Sequence, residues 1–186
     1  KVIVPTQYDM VEYFPPKEEG THVIENGKEI VWNSKTVGSF VAHNYKKRAN
    51  PHYTIYKTDG TVVFDMEVEA FYDYIPGYFL IKVADKKKSN NSLWGLYTSG
   101  GNEILPIECE YITFHGKVCK YAKIIGEISH GGTYMKGALM LDGSLPNIPC
   151  QFSDVEYDSI NHQWLVQKEA ISKWEVYSTN KHYITE

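Results

Sequence analysis

The sequence predicts an all-β chain of tandem, degenerate β-hairpin repeats of about 40 residues, arranged as an open curved array or a small closed propeller-like ring. Three observations predict it. A turn recurs: Asn26-Gly27, Asp59-Gly60, Gly100-Gly101 and Asp142-Gly143 punctuate the chain. Counted from glycines 27, 60, 100 and 143 the spacings are 33, 40 and 43, and Asn180 extends the series by 37. The flanks of each turn are rich in Val, Ile, Tyr, Phe and Trp, which suit a pleated surface. No stretch combines helical period with helical length. The segment from Asp154 to Lys173 is the most ambiguous, because Trp164 to Ala170 reads either way.

Each unit justifies itself in turn. His22-Val23-Ile24 precedes Glu25-Asn26-Gly27 and Glu29-Ile30-Val31-Trp32. Tyr53-Thr54-Ile55-Tyr56 precedes the Asp59-Gly60 turn and Val62-Val63-Phe64. Leu93-Trp94-Gly95-Leu96-Tyr97 precedes Ser99-Gly100-Gly101-Asn102 and then Ile104-Leu105-Pro106-Ile107. Ala138-Leu139-Met140-Leu141 precedes Asp142-Gly143 and Ile148-Pro149. Trp174-Glu175-Val176-Tyr177 precedes Ser178 to Lys181, then Tyr183-Ile184. Asn-Gly and Asp-Gly reach φ > 0 cheaply, so each turn predicts a hairpin. A further strand follows each hairpin, at Tyr78 to Val83, Lys117 to Ala122 and Gln163 to Val166, announced by Pro76-Gly77, His115-Gly116 and Asn161-His162. The chain reads as one β-repeat domain over 1–186, with units near 22–52, 53–92, 93–136 and 137–173, and partial units at 1–21 and 174–186. The two partial units could meet and close a ring, hiding the end strands.

Residues 93 to 112 resemble the WG-repeat family. There a Trp-Gly pair opens a strand, a glycine turn follows, then an apolar-Pro strand, then Tyr-Asp with an apolar residue. Trp94-Gly95 is the literal pair, and Tyr8-Asp9-Met10-Val11 matches the Tyr-Asp part. Trp174-Glu175 keeps the Trp, Gly137-Ala138 has lost it, and Tyr53-Thr54 replaces both. The resemblance implies a binding or interaction module without a shared catalytic set, so it carries no site residues onto this chain.

Composition narrows the classes. A net charge of −4 and a pI near 6.0 argue against bulk attraction to nucleic acid or an anionic membrane. No apolar run reaches transmembrane length. Three cysteines, Cys109, Cys119 and Cys150, make no disulfide framework and lean towards a reducing, cytoplasmic setting. Lys1 in place of an initiator Met reads as a trimmed N-terminus.

Tyrosine stands out, with 15 of 186 residues. Most aromatics keep repeat register and are expected in the core. Those off register, Tyr72, Tyr74, Tyr78, Tyr134 and Trp164, are the candidates for a sugar- or peptide-binding face. Two basic clusters, Lys46-Lys47-Arg48 and Lys86-Lys87-Lys88, occupy equivalent connections in adjacent units and would share a rim. They suit an acidic partner or phosphate, or serve as solvated loops that discourage edge aggregation. Cys109, His115 and Cys119 lack zinc-finger spacing, so no metal and no cofactor is assigned. The period-2 pairs Glu67/Glu69 and Glu108/Glu110 each share a strand face but read as solvated carboxylates. There is no Gly-x-Ser-x-Gly, phosphate loop or His-Glu-x-x-His. The reading is therefore a non-catalytic module for a protein or peptide partner. A carbohydrate-binding module using exposed aromatics is the first alternative, and an enzyme with a site at the end of a repeat ring is the second.

Overall fold

A computed structural model of the chain describes residues 4–16, 21–25, 28–32, 38–44, 51–73, 77–85, 91–125 and 133–179. The fold is all-β. β1 (Met10–Phe14) is followed by the hairpin β2 (Thr21–Glu25) and β3 (Lys28–Trp32), then by β4 (Ser39–Asn44), β5 (His52–Lys57) and β6 (Val62–Glu67). β1, β4, β5 and β6 form a four-stranded antiparallel sheet in that order, with β2 and β3 paired, among the described residues, only to each other. The second sheet runs β7 (Ala70–Tyr72), β8 (Tyr78–Ala84), β9 (Ser92–Thr98) and β10 (Glu103–Cys109). The third runs β11 (Tyr111–His115), β12 (Val118–Ile125), β13 (Thr133–Met140) and β14 (Ile148–Phe152). The fourth runs β15 (Asp154–Asp158), β16 (Gln163–Gln167) and β17 (Glu175–Val176). No sheet closes into a barrel among the described residues. Among them, no helix is long and apolar enough to cross a membrane.

The turn chemistry acts as the sequence predicts. Gly60, Gly101 and Gly143 take φ of 94°, 82° and 70°. Each donates its N–H to the last residue of the preceding strand: Lys57 O at 2.9 Å, Thr98 O at 2.8 Å and Met140 O at 2.9 Å. In the unit at 93–136 it is thus Gly101, not Gly100, that takes the left-handed position. The pairs that announce the following strands are left-handed too, at Gly77 (82°), Gly116 (60°) and His162 (49°).

Three expectations change. The Gly27 hairpin is not a repeat copy. It is an insertion between the first two strands of the first sheet, and the turn itself lies outside the described residues. The copy on β13 also shifts by one residue. Ala42 faces Thr54, Ile81 faces Gly95 and Tyr121 faces Gly137, each three residues into the second strand of its sheet. Gly137 therefore holds the place of Gly95, and Lys136, not Gly137, holds that of Trp94. Third, the sheets begin and end inside the expected units. β10 and β11 both lie within 93–136, yet belong to different sheets. The reason is hydrogen bonding: the strand after each hairpin ladders onward to the next hairpin, whereas the connectors break the ladder. Glu69, Glu110 and Ser153 sit at those breaks, each donating its N–H to a second strand, at Lys82 O (2.8 Å), Ala122 O (2.8 Å) and Gln167 O (2.9 Å). Of the ambiguous stretch from Trp164 to Ala170, the part up to Gln167 is strand, within β16, and residues 168–170 form a turn.

The chain divides into two compact units, 1–108 and 109–186. In the first, Val41, Ile55 and Phe64 of the first sheet pack against Phe79, Ile81 and Tyr97 of the second. In the second, Ala138, Ile148 and Phe152 of the third sheet meet Val155, Trp164 and Val166 of the fourth. Burial on this scale supplies the main drive for folding, roughly 1.5–3 kcal/mol per fully buried large aliphatic or Phe side chain. Of the two partial units expected to meet, residues 1–3 and 180–186 lie outside the described residues; in the described part β1 pairs with β4 and β17 with β16.

Candidate functional site

The structure separates the predicted site residues. Tyr78 and Trp164 are core, 7% and 2% exposed. Trp164 also donates its Nε1–H to Pro146 O at 2.9 Å, so its polar edge is spent inside the fold. They present no ring to a ligand on the surface. Tyr72 and Tyr134 are exposed, at 39% and 51%. Tyr74, Lys46, Lys47, Arg48, Lys86, Lys87 and Lys88 lie outside the described residues. The strand ends that carry the two basic connections are described. Asn44 pairs with His52, and Ala84 pairs with Ser92.

Both strand ends border one feature. Between the first and second sheets lies a recess of about 240 Å³, lined by Met66, Val83, Ala84, Asp85, Leu93 and Ile107. Met66 on β6 faces Tyr53, next to the His52 end of β5. Val83 faces Leu93 across β8 and β9. Ile107 comes close because Gly95 has no side chain: a Cβ there would stand 2.6 Å from Ile107 Cγ1. Five of the six lining residues are apolar. Asp85 closes the strand end, its N–H donating to Asn91 O at 2.8 Å.

On the opposite face of the same strand ends is a second grouping. Tyr72 stacks with Trp94, centroids 6.0 Å apart and rings inclined by 22°. Lys82, directly opposite Trp94 in the ladder, holds its Nζ 5.7 Å from the Trp94 ring centre. Glu69 takes Lys82 Nζ at 3.3 Å and the Ser92 hydroxyl at 2.5 Å. The Ser92 hydrogen bond holds the Glu69 carboxyl below its ordinary value, aided by Lys82. Sequence reasoning assigned Trp94 to the repeat and did not single out Lys82, Glu69 or Ser92. Period 2 puts Lys82 and Trp94 each on one face of its own strand, but only the β8–β9 pairing makes them neighbours.

A polar chain crosses the first sheet. His52 Nε2 lies 2.6 Å from Asp65 Oδ1, and Thr54 donates to the same oxygen at 2.8 Å. Tyr8 donates to Thr54 Oγ1 at 3.2 Å, and its hydroxyl lies 2.7 Å from that of Tyr56. The His52 hydrogen bond draws the Asp65 carboxyl down, against desolvation. Burial, with the Tyr8 contact, pushes the Tyr56 hydroxyl well above its ordinary value. Thr54 is 1% exposed and donates its hydroxyl proton to the Asp65 carboxylate, not to His52. Cys109 and Cys119 are fully buried strand residues, and burial raises the Cys119 thiol far above the ordinary range. Among the described residues no group of three His, Cys, Asp or Glu side chains could hold a metal ion.

No family model, curated protein or solved structure matches the chain.

Proposed function

We propose that this chain is a non-catalytic recognition module of the WG-repeat kind, and that it seats one apolar side chain of a protein or peptide partner in the recess between the first and second sheets. The observation that carries this reading is the recess itself: about 240 Å³, apolar on five of six sides, at the ends of strands that also launch two basic connections. Its volume falls below the ~300–1,000 Å³ of pockets for drug-sized ligands and suits a single side chain. Burying a Leu- or Phe-sized anchor there contributes roughly 1.5–3 kcal/mol, a fair share of a micromolar complex at about −8 kcal/mol. Selection from a random peptide library should yield sequences with a common apolar anchor. Leu93→Trp, at a half-buried lining position on the recess face of β9, narrows the recess and should weaken them at least about tenfold, a loss of ~1.4 kcal/mol. No selectable peptide, together with turnover on a substrate panel, would overturn the reading.

One observation favours a carbohydrate ligand as the second reading. The Tyr72–Trp94 pair is half open and edged by Lys82, Glu69 and Ser92, an apolar platform beside hydrogen-bonding groups. A glycan array separates the two readings. Saccharide binding that Trp94→Ala and Tyr72→Ala abolish, but Leu93→Trp leaves intact, favours the second.

A further inference from the structure

The recess between the first and second sheets opens beside β6, the last strand of the first sheet. Among the described residues β6 has no second neighbour. The ladder fixes which of its backbone groups face outward. β6 pairs with β5 as His52↔Glu67, Tyr53↔Met66 and Thr54↔Asp65, and Val68 donates its N–H to Pro51 O at 3.0 Å in the same register. Hydrogen-bonded and non-hydrogen-bonded pairs alternate along an antiparallel ladder. Tyr53 and Met66 are therefore a hydrogen-bonded pair, and Asp65 turns its N–H and C=O away from β5. Towards the start of the strand the turn glycine Gly101 lies against the Val63 side chain, so the open stretch of edge is the Asp65 end.

The other sheets block this place. Lys57 donates its N–H to Thr61 O and Thr98 donates to Asn102 O, both at 2.8 Å, which aligns Thr61 with Asn102. Four residues on, Asp65 aligns with Pro106 of β10, and Met66 with Ile107. In the third sheet Ile148 pairs with Ala138 as Phe64 pairs with Ile55, and Pro149 comes next. Proline has no N–H, so β10 and β14 offer no donor there, whereas β6 does. Met66 and Ile107 both line the recess, which thus lies between an open edge and a blocked one. Period 2 puts the Asp65 carboxylate on the face of β6 away from Met66, where it is 56% exposed. His52 and Thr54 both meet it at Oδ1, and Oδ2 has no partner among the described residues. Glu67 shares that face.

We infer that β6 takes up a peptide segment as an added antiparallel strand, with a Lys or Arg opposite Asp65 and the apolar anchor, the residue before it, opposite Met66. This rests on the reading of the recess as the seat of an apolar anchor, and adds the backbone mode and the anchor's neighbour. The residue opposite Asp65 exchanges both backbone hydrogen bonds with it. The residue before it lies on the Met66 face, so its side chain enters the recess. In strand addition the main chain supplies affinity and alternate side chains supply specificity. A cation directly opposite the Asp65 carboxylate is a favourable cross-strand pair, and an acidic residue there an unfavourable one.

The probe is the blocked peptide Ac-Thr-Thr-Leu-Lys-Thr-Thr-NH2, titrated into the ¹⁵N-labelled full chain. Saturable shifts are expected at the Asp65 and Met66 amides, with slower hydrogen exchange at Asp65 N–H. Methylating the probe's Lys amide, which would face Asp65 C=O, should weaken it at least about tenfold. Methylating its Leu amide, which faces away, should change it less than about twofold. Asp65→Pro copies the arrangement of β10 and gives up no ladder bond, and should weaken the probe at least about tenfold. Asp65→Asn keeps the N–H and should weaken it only about two- to fivefold. Lys to Glu in the probe should weaken it by at least as much. Equal binding of the Lys-methylated probe, unchanged Asp65 exchange at saturation, a folded Asp65→Pro protein that binds as well as Asp65→Asn, or tighter binding of the Glu probe overturns the proposal. The recess reading survives those results if Leu93→Trp, and Ala for Leu in the probe, still weaken binding. No saturable shift with the probe while a library-selected anchor binds also overturns the strand mode alone, whereas no anchor binding at all removes the reading beneath it. A dimer that Asp65→Pro dissociates, seen by sedimentation, gives the edge to a second copy and overturns the proposal as well. If Asp65→Pro fails to fold, the two methylated probes and the Asp65 exchange rate decide.

Discussion

Gly101 and Gly116 are both left-handed, at 82° and 60°, yet they answer to different surroundings. A Cβ at Gly101 would collide with the Val63 side chain, whereas at Gly116 nothing lies within 4 Å. Gly116→Ala should therefore cost about 1–2 kcal/mol, the left-handed penalty alone. Gly101→Ala should cost more, roughly 2–4 kcal/mol, because a clash adds to it. Urea unfolding midpoints check the order. His162 at φ 49° bears the same penalty without being glycine, and its Nδ1 lies 2.8 Å from the Tyr157 hydroxyl. His162→Gly should come out about 1 kcal/mol more stable than His162→Ala, since both lose the hydrogen bond and only Ala keeps the strain. Asp142 supplies the pH response. Burial alone would raise its carboxyl, but the Lys117 ammonium at 2.9 Å and the Ser144 contacts outweigh that and hold it at about 2. A depressed folded value means the stability is present above the unfolded value near 3.9 and is lost as pH falls from there through about 2. Wild-type protein should lose about 1–2 kcal/mol across that window beyond what Asp142→Asn loses, seen as a steeper fall in melting temperature.

The strands show the same dependence on neighbours. Pro106 and Pro149 lie in β10 and β14, and both strands are edges of their sheets. Proline has no N–H to give to a ladder, so an edge is where it is tolerated, and there it blunts pairing with another chain. Pro106→Val combined with Pro149→Val should leave the fold intact but increase self-association, measured by light scattering at rising concentration. Ladder length should set local stability. β12 pairs along eight residues with β13, from Val118 to Ile125, whereas β17 contributes only Leu165↔Val176 and Val166↔Glu175. Hydrogen exchange should be slowest in the middle of β12 and fastest in β17.

Each compact unit carries its own two-sheet core, and the largest fully buried rings are Trp164 in one and Phe79 in the other. Trp164→Ala should cost about 3–5 kcal/mol and speed exchange through the third and fourth sheets. Phe79→Ala should do the same in the first and second sheets. The acidic balance of the whole chain, −4, matches neither basic connection. Any attraction of an acidic partner would come from those local clusters and should fade with added salt.

Turn glycines, β-rich flanks and period-2 patterning were enough to read an all-β repeat, because each acts within a few residues of chain. The pairs Pro76-Gly77, His115-Gly116 and Asn161-His162 were legible for the same reason, and the second residue of each, Gly77, Gly116 and His162, proves left-handed. Sheet membership was not legible. It depends on which connector breaks the ladder, and Glu69, Glu110 and Ser153 look like any other residue until their partners at Lys82, Ala122 and Gln167 are known. The β2–β3 hairpin carries the local chemistry of a repeat but pairs with no other strand among the described residues, so local signals could not exclude it. The candidate sites followed the same rule. Tyr78 and Trp164 looked available from their register and are buried, while Lys82 meets Trp94 and Phe14 meets Phe79 only through pairing and packing between distant strands. Local backbone preference is written in adjacent residues. A recess between two sheets exists only once residues tens of positions apart have packed, and tertiary structure alone decides which side chains line it.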